Sequence, residues 1–290
     1  MHGTETALAF PCGDDTLIGI LNQPDNPSTT TGVLIIVGGP QCRTGSHRQF
    51  TQLARGLAQR GIPSLRFDTR GMGDSTGAMR NFEDLHDDIH AACQSFVHHS
   101  MVPIQRLVLW GLCDAATAAA FYASSHADIC ALVLCNPWVR TAQSEALTQV
   151  KHYYLKRLLA PVLWKKFLTG NFALRQTCHD LITHLRVLTA PASDRPHTPT
   201  LPLPERMQRA LTQHPRPTLL VLSGCDLTAR EFEDAVLGNA TWSAWLQDSS
   251  IVTRRDLPEA DHTFSSRIWT DQVTQFTADW LLEALELKHS

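Results

Sequence analysis

From residue 32 onward, short and wholly apolar runs alternate with longer stretches whose apolar residues recur every three or four positions. Runs of the first kind suit strands buried on both faces of a parallel sheet, and stretches of the second kind suit helices that cover it. The expected order is a strand over 32–37 and a helix over 47–60 with Phe50, Leu53, Ala54 and Leu57 on one face. A strand over 64–67 and a helix over 82–98 follow, then a strand over 106–110, an alanine-rich helix over 115–124 and a strand over 131–135. The pattern resumes with strands over 218–222 and 250–254 and closes on an amphipathic helix over 268–287. This alternation defines an α/β fold, a mostly parallel sheet with helices on both faces.

Two departures from the alternation carry information. Residues 7–10 and 16–21 flank the turn signal Gly13-Asp14-Asp15, which predicts an antiparallel hairpin at the sheet edge. Between 139 and 213 the strands lapse: helical stretches over 147–168 and 178–188 lead into a segment carrying Pro191, Pro196, Pro199, Pro202 and Pro204. This reads as an inserted helical cap, 140–213, with a loop returning to a core made of 1–139 and 214–290.

Composition narrows the function. With 43% hydrophobic and 18% charged residues over 290 positions, the chain has the apolar content for a sizeable core. A net charge of -3 supplies no basic field for a phosphate backbone, so no nucleic-acid partner is expected. No apolar run approaches a transmembrane length and the first residues lack a signal-peptide pattern, which points to a cytoplasmic protein. The eight cysteines form no C-x-x-C pair and are expected as free thiols, and the 14 histidines show no ligand spacing. No metal and no cofactor is implied. Gly38-Gly39 lacks both the Lys-Ser/Thr of a phosphate loop and the third glycine of a dinucleotide fingerprint.

The chemistry centres on Cys113. It stands between the apolar run Leu107-Val108-Leu109-Trp110 and the alanine-rich helix, with Gly111 two residues before it and Ala115 two after. Small residues there let a strand turn sharply into a helix and present the intervening side chain at the strand's carboxyl end, the nucleophile-elbow arrangement. A helix start beside the thiol favours thiolate and supplies N–H groups to an acyl oxyanion. A thiol nucleophile needs a base, and the base an orienting acid. Asp226 follows the run over 218–222, and His262 lies beyond the last strand, so nucleophile, acid and histidine come in the order of the α/β-hydrolase fold. Asp261 and Asp256 are the rival acids, and Cys225 is the thiol that neighbours the proposed acid.

At these residues the chain resembles the α/β-hydrolase superfamily over nearly its whole length. Three segments are similar to the hydrolases associated with exosortase A systems, which accompany bacterial exopolysaccharide gene clusters. These are Gly38-Gly39-Pro40-Gln41 with Gly45-Ser46-His47-Arg48-Gln49-Phe50, the run from Arg66 to Ser75, and Trp110-Gly111-Leu112-Cys113-Asp114-Ala115. The elbow departs from the superfamily's G-x-S-x-G at two places, with Cys113 for serine and Ala115 for the second glycine. The first change implies a thioester intermediate, as the dienelactone hydrolases of this fold use. The run from Asp68 to Ser75 resembles the superfamily's D-x-R-G-x-G-x-S turn, whose charged residues brace loops near the site.

The expected oxyanion hole combines the N–H of Asp114 with one from the loop after the first parallel strand. Pro40 has no N–H, which makes Gln41 the candidate. Arg43, His47 and Arg48 fit either a substrate-anion contact or a solvated loop, the latter being the more common. Trp164, Tyr153, Tyr154 and Phe167 fit either an acyl pocket or packing of the cap. The expectation is a capped α/β hydrolase acting on a small-molecule ester or thioester through Cys113, Asp226 and His262. The rivals are acyl transfer by the same triad and a non-catalytic binding protein on a hydrolase fold, against which the intact acid and histidine speak.

Overall fold

In the computed structural model, residues 3–140 and 201–286 are described. The helical stretches and aromatic residues expected over 141–200, most of the inserted cap, lie outside the described residues. The elements run β1 (Thr4–Cys12), β2 (Asp15–Gln23), β3 (Thr31–Ile36), α1 (Gln49–Gln59), β4 (Ser64–Phe67), α2 (His86–His99), β5 (Arg106–Leu112), α3 (Asp114–Ser124) and β6 (Ile129–Cys135). After the undescribed segment come α4 (Leu203–Thr212), β7 (Thr218–Ser223), α5 (Leu227–Leu237), α6 (Ala240–Gln247), β8 (Val252–Leu257) and α7 (Arg267–Glu286).

The eight strands form one sheet in the order β1-β2-β4-β3-β5-β6-β7-β8. The β1–β2 hairpin and the β2–β4 pairing are antiparallel, and β4, β3, β5, β6, β7 and β8 pair in parallel. The strand alternation sorts the core onto two faces. Val33, Ile35, Val108, Trp110, Val133 and Val221 face one way and pack with Phe50, Leu53 and Leu57 of α1 and with Val273 and Leu281 of α7. Leu34, Ile36, Leu109, Leu134 and Leu220 face the other way, toward Ile89 and Phe96 of α2, the alanines of α3, and Phe232 and Trp242 of α5 and α6. Strands this apolar on both sides exist only because helices cover both faces.

The structure differs from the sequence reading in three places. Helices α5 and α6 were not anticipated, although each starts on a side-chain cap: Asp226 accepts from the Thr228 and Ala229 N–H groups, and Asn239 from that of Trp242. Helix α4 occupies what reads as a proline-rich loop. Pro204 stands in its first turn, where a missing N–H costs nothing, and Met207 and Leu211 join the core. Strand β8 begins later than expected because Asp248 draws Ser250 into a turn through its side chain and accepts the Val252 N–H on its carbonyl. The strand then continues through Arg254, Arg255 and Asp256, which an edge strand tolerates since one flank meets solvent. Among the described residues no helix is long and apolar enough to cross a membrane.

Candidate active site

Parallel strands put their carboxyl ends on one edge of the sheet, where β5, β7 and β8 hand over to Cys113, Asp226 and His262. Cys113 is the single residue between β5 and α3, held at φ 63° and ψ −124°. A non-glycine residue at positive φ carries backbone strain, and it persists because the surrounding bonds over-determine it. The Cys113 N–H donates to the Cys135 carbonyl at 2.9 Å, while its own carbonyl accepts from Trp138 at 3.1 Å and Ala116 at 3.1 Å. Gly111 is required by space: a Cβ there would stand 2.5 Å from the Ala115 backbone. The thiol itself is half-buried.

Asp226 is the N-cap of α5, and its carboxylate does two jobs at once. Oδ1 accepts the Thr228 N–H at 3.1 Å and Oδ2 that of Ala229 at 3.2 Å, while Oδ2 also accepts from His262 Nδ1 at 2.8 Å. The cap fixes the carboxylate in one orientation before the imidazole meets it. Nδ1 donates to Asp226, and Cys113 is the other side chain that acts electrostatically on the ring. The hydrogen bond from Asp226, and after it that from Cys113, outweigh burial and raise the His262 pKa from 6.5 to about 10. Near neutrality the ring therefore carries its proton.

Four other cysteines and two other aspartates are turned to different uses. Burial pushes the Cys93 thiol up to about 12 and raises those of Cys130 and Cys135 as well. Cys225 is exposed, with its Sγ on the Pro258 carbonyl. Asp261 holds the Ser265 N–H at 2.9 Å and the Ser265 hydroxyl, and Asp256 pairs with Arg254. The geometry thus brings Asp226, rather than either rival, to the histidine.

Asp114, at the first position of α3, shows a use of its side chain that sequence reasoning did not anticipate. Its carboxylate accepts the Gly39 N–H at 2.9 Å, the Ala115 N–H at 2.9 Å and its own N–H. Burial raises its pKa, and these three donors pull it back only in part. Gln41, the candidate second oxyanion donor, has its N–H engaged within its own loop. Its N–H closes a tight turn onto the Gly39 carbonyl at 2.9 Å, and its side-chain oxygen accepts from Ser46, so Gly39 is the residue of this loop that reaches the elbow.

Supporting residues were also missed. Asn136, directly after β6, is fully buried at φ 44°. Its Nδ2 donates to the Ser223 hydroxyl and to the His262 carbonyl, its Oδ1 accepts the Ser223 N–H, and the Ser223 hydroxyl donates to the Asp261 carbonyl. This network moors the histidine loop to the ends of β6 and β7. An asparagine just past an apolar strand was the only signal available for it. Arg43 is neither solvated nor open to an anion: it binds Asp68 and Asp74. Buried Asp68 also accepts the Asp74 N–H at 3.1 Å, and Arg70 forms a two-point pair with buried Asp88. The run from Asp68 to Ser75 is thus a brace. His47 and Arg48 are exposed.

A family model described as serine aminopeptidase, S33, matches residues 30–227, a span that includes Cys113 and Asp226. The chain belongs to this family of α/β hydrolases. No curated protein matches it. Among solved structures, it is similar to an esterase from Pyrococcus furiosus, with TM-score 0.62 and 14% identity over 96% of this chain and 90% of the other. A dienelactone hydrolase from Anabaena variabilis aligns with TM-score 0.57 and 17% identity over 97% of this chain and 98% of that one. An alpha-beta serine hydrolase homologue from Coxiella burnetii aligns with TM-score 0.56 and 18% identity over the same shares, 97% and 98%. These likenesses are of fold. Among the described residues no group of three or more His, Cys, Asp or Glu is placed to hold a metal ion.

Proposed function

We propose that this S33-family chain hydrolyses a small ester or thioester through a covalent acyl-enzyme on Cys113, with His262 as acid and base and Asp226 as the residue that orients it. The observation that carries the reading is the Asp226 carboxylate, fixed as a helix cap, holding His262 Nδ1 at 2.8 Å, together with Cys113 set at positive φ between β5 and α3. The thiolate adds to the carbonyl carbon, and the carbonyl π pair moves onto oxygen. The oxyanion collapses, the leaving group departs with the proton of the His262 imidazolium, and a thioester remains on Cys113. Neutral His262 then takes a proton from water as the water adds to the thioester, and returns it to sulfur as the acid product leaves.

A protonated ring at neutral pH supports sulfur over a hydroxyl nucleophile. Serine needs a neutral imidazole to accept its proton during attack, whereas a thiolate has given up its proton already. The neighbours described as an esterase and a dienelactone hydrolase agree with carbonyl chemistry on this fold. The resemblance of the segments around Gly38, Arg66 and Cys113 to hydrolases that accompany exosortase A systems supports a link to such systems, and we propose that the activity is cytoplasmic. Intact-protein mass spectrometry after exposure to a panel of activated esters and thioesters tests the reading. An acyl adduct mapped to Cys113 and cleared by water is expected, and an adduct confined to Cys225 or Cys42 overturns it.

A further inference from the structure

We infer that the carboxylate of Asp114 occupies the oxyanion pocket of the resting chain and must leave it before an acyl group is attacked. The inference rests on Cys113 acting as the nucleophile. An elbow of this fold stabilises its oxyanion with the N–H that follows the nucleophile and an N–H from the loop after the first parallel strand. Here those two donors are the N–H groups of Asp114 and Gly39, and the Gly39 N–H already donates to the Asp114 side chain at 2.9 Å. The Ala115 N–H donates to the same carboxylate. An anion spread over these donors stands where negative charge would develop on a substrate carbonyl, and two like charges within such a half-buried pocket repel.

The pocket is shaped for this occupant. A Cβ on Gly38 would lie 2.0 Å from the Asp114 carboxylate and 2.8 Å from the Ala115 nitrogen. Gly38 is not among the glycines at positive φ, so its backbone does not call for glycine; the space taken by the carboxylate and by the Ala115 backbone does. Gly38, Gly39 and the start of α3 therefore form one cradle around a side chain attached next to the nucleophile. Asp114 is thereby a specificity-determining residue: an acyl carbonyl gains the two N–H groups only by displacing it, which penalises small, weakly bound esters most.

The test separates attack that needs the pocket from attack that does not. Displacement of iodide from iodoacetamide by the Cys113 thiolate builds no oxyanion, whereas acylation by p-nitrophenyl acetate does. With Asp114→Ala, the p-nitrophenolate burst and the acetyl adduct on Cys113 are expected to form about a hundredfold faster than in the wild type, the scale of an oxyanion-hole donor. Carbamidomethylation of Cys113 should change only a few-fold. Asp114→Ser repeats the comparison if the alanine protein does not fold. Acylation that is unchanged, absent or slower in the variant while alkylation persists overturns the inference and makes Asp114 a tether between the loop and the elbow. If neither reagent modifies Cys113, the nucleophile assignment itself fails and the inference falls with it.

Discussion

Two helices start at the functional edge of the sheet, and each start binds an aspartate in a different way. At α5 the carboxylate of Asp226 stands before the helix, takes two N–H groups and reaches outward to the imidazole of His262. At α3 the carboxylate of Asp114 stands inside the first turn, takes N–H groups from the helix and from the Gly39 loop, and accepts nothing from the imidazole. The same side chain in nearly the same dipole field thus orients a base in one place and fills an anion cradle in the other. Helix-start geometry supplies only an anion-friendly end; which neighbouring donor completes the set decides the role.

The largest effect expected at this edge comes from the residue that α3 presents. Cys113→Ala should abolish acyl-enzyme formation with the fold intact. Cys113→Ser should retain at most about a hundredth of the acylation rate, because a hydroxyl is shorter and its proton must be removed by a ring that is already protonated. Burst kinetics on the ester the wild type accepts decide both; a serine variant as fast as wild type would mean the edge is not specialised for sulfur.

The α5 end separates capping from orientation. Asn is as good an N-cap as Asp, so Asp226→Asn should leave the melting temperature within a few degrees while lowering turnover by about a thousandfold or more, by losing the charge and the tautomer control. Asp261→Asn should reduce turnover far less, since its carboxylate serves Ser265. Turnover and thermal melts on the two variants together check the contrast, and reversed sizes would move the acid to Asp261.

The smallest expected effect is a pH-dependent stability. His262 ionises near 6.5 when unperturbed and is raised to about 10 in the fold. Its pairing therefore stabilises the folded state in full below about 6.5 and fades as pH rises toward 10. With 34% of the ring exposed, solvent screening limits the contribution to about 1 kcal/mol. His262→Gln should lower the melting temperature at pH 6 and match the wild type near pH 10; a deficit that grows with pH would contradict the charged pairing with Asp226.

Most of the scaffold was readable without coordinates because period is a local property. The doubly apolar runs around Leu34, Leu109 and Leu134 mark buried parallel strands, and the small residues flanking Cys113 mark the elbow. The order Cys113, Asp226, His262 was also readable, since each follows a strand and parallel strands share one edge. Helices α5 and α6 were legible in principle from their caps but are short enough that a periodic stretch does not stand out. What chain order leaves open is where hydrogen bonds go. Only the packed structure turns Asp261 onto Ser265, commits the Gln41 N–H to Gly39, gathers Asn136 and Ser223 beneath the histidine loop, and lays the Asp114 carboxylate over Gly38. The Asn136–Ser223 and Asp114–Gly39 bonds need groups far apart in sequence to meet within about 3 Å, a distance that no local pattern encodes, and the two local bonds depend on which nearby group the folded loop presents.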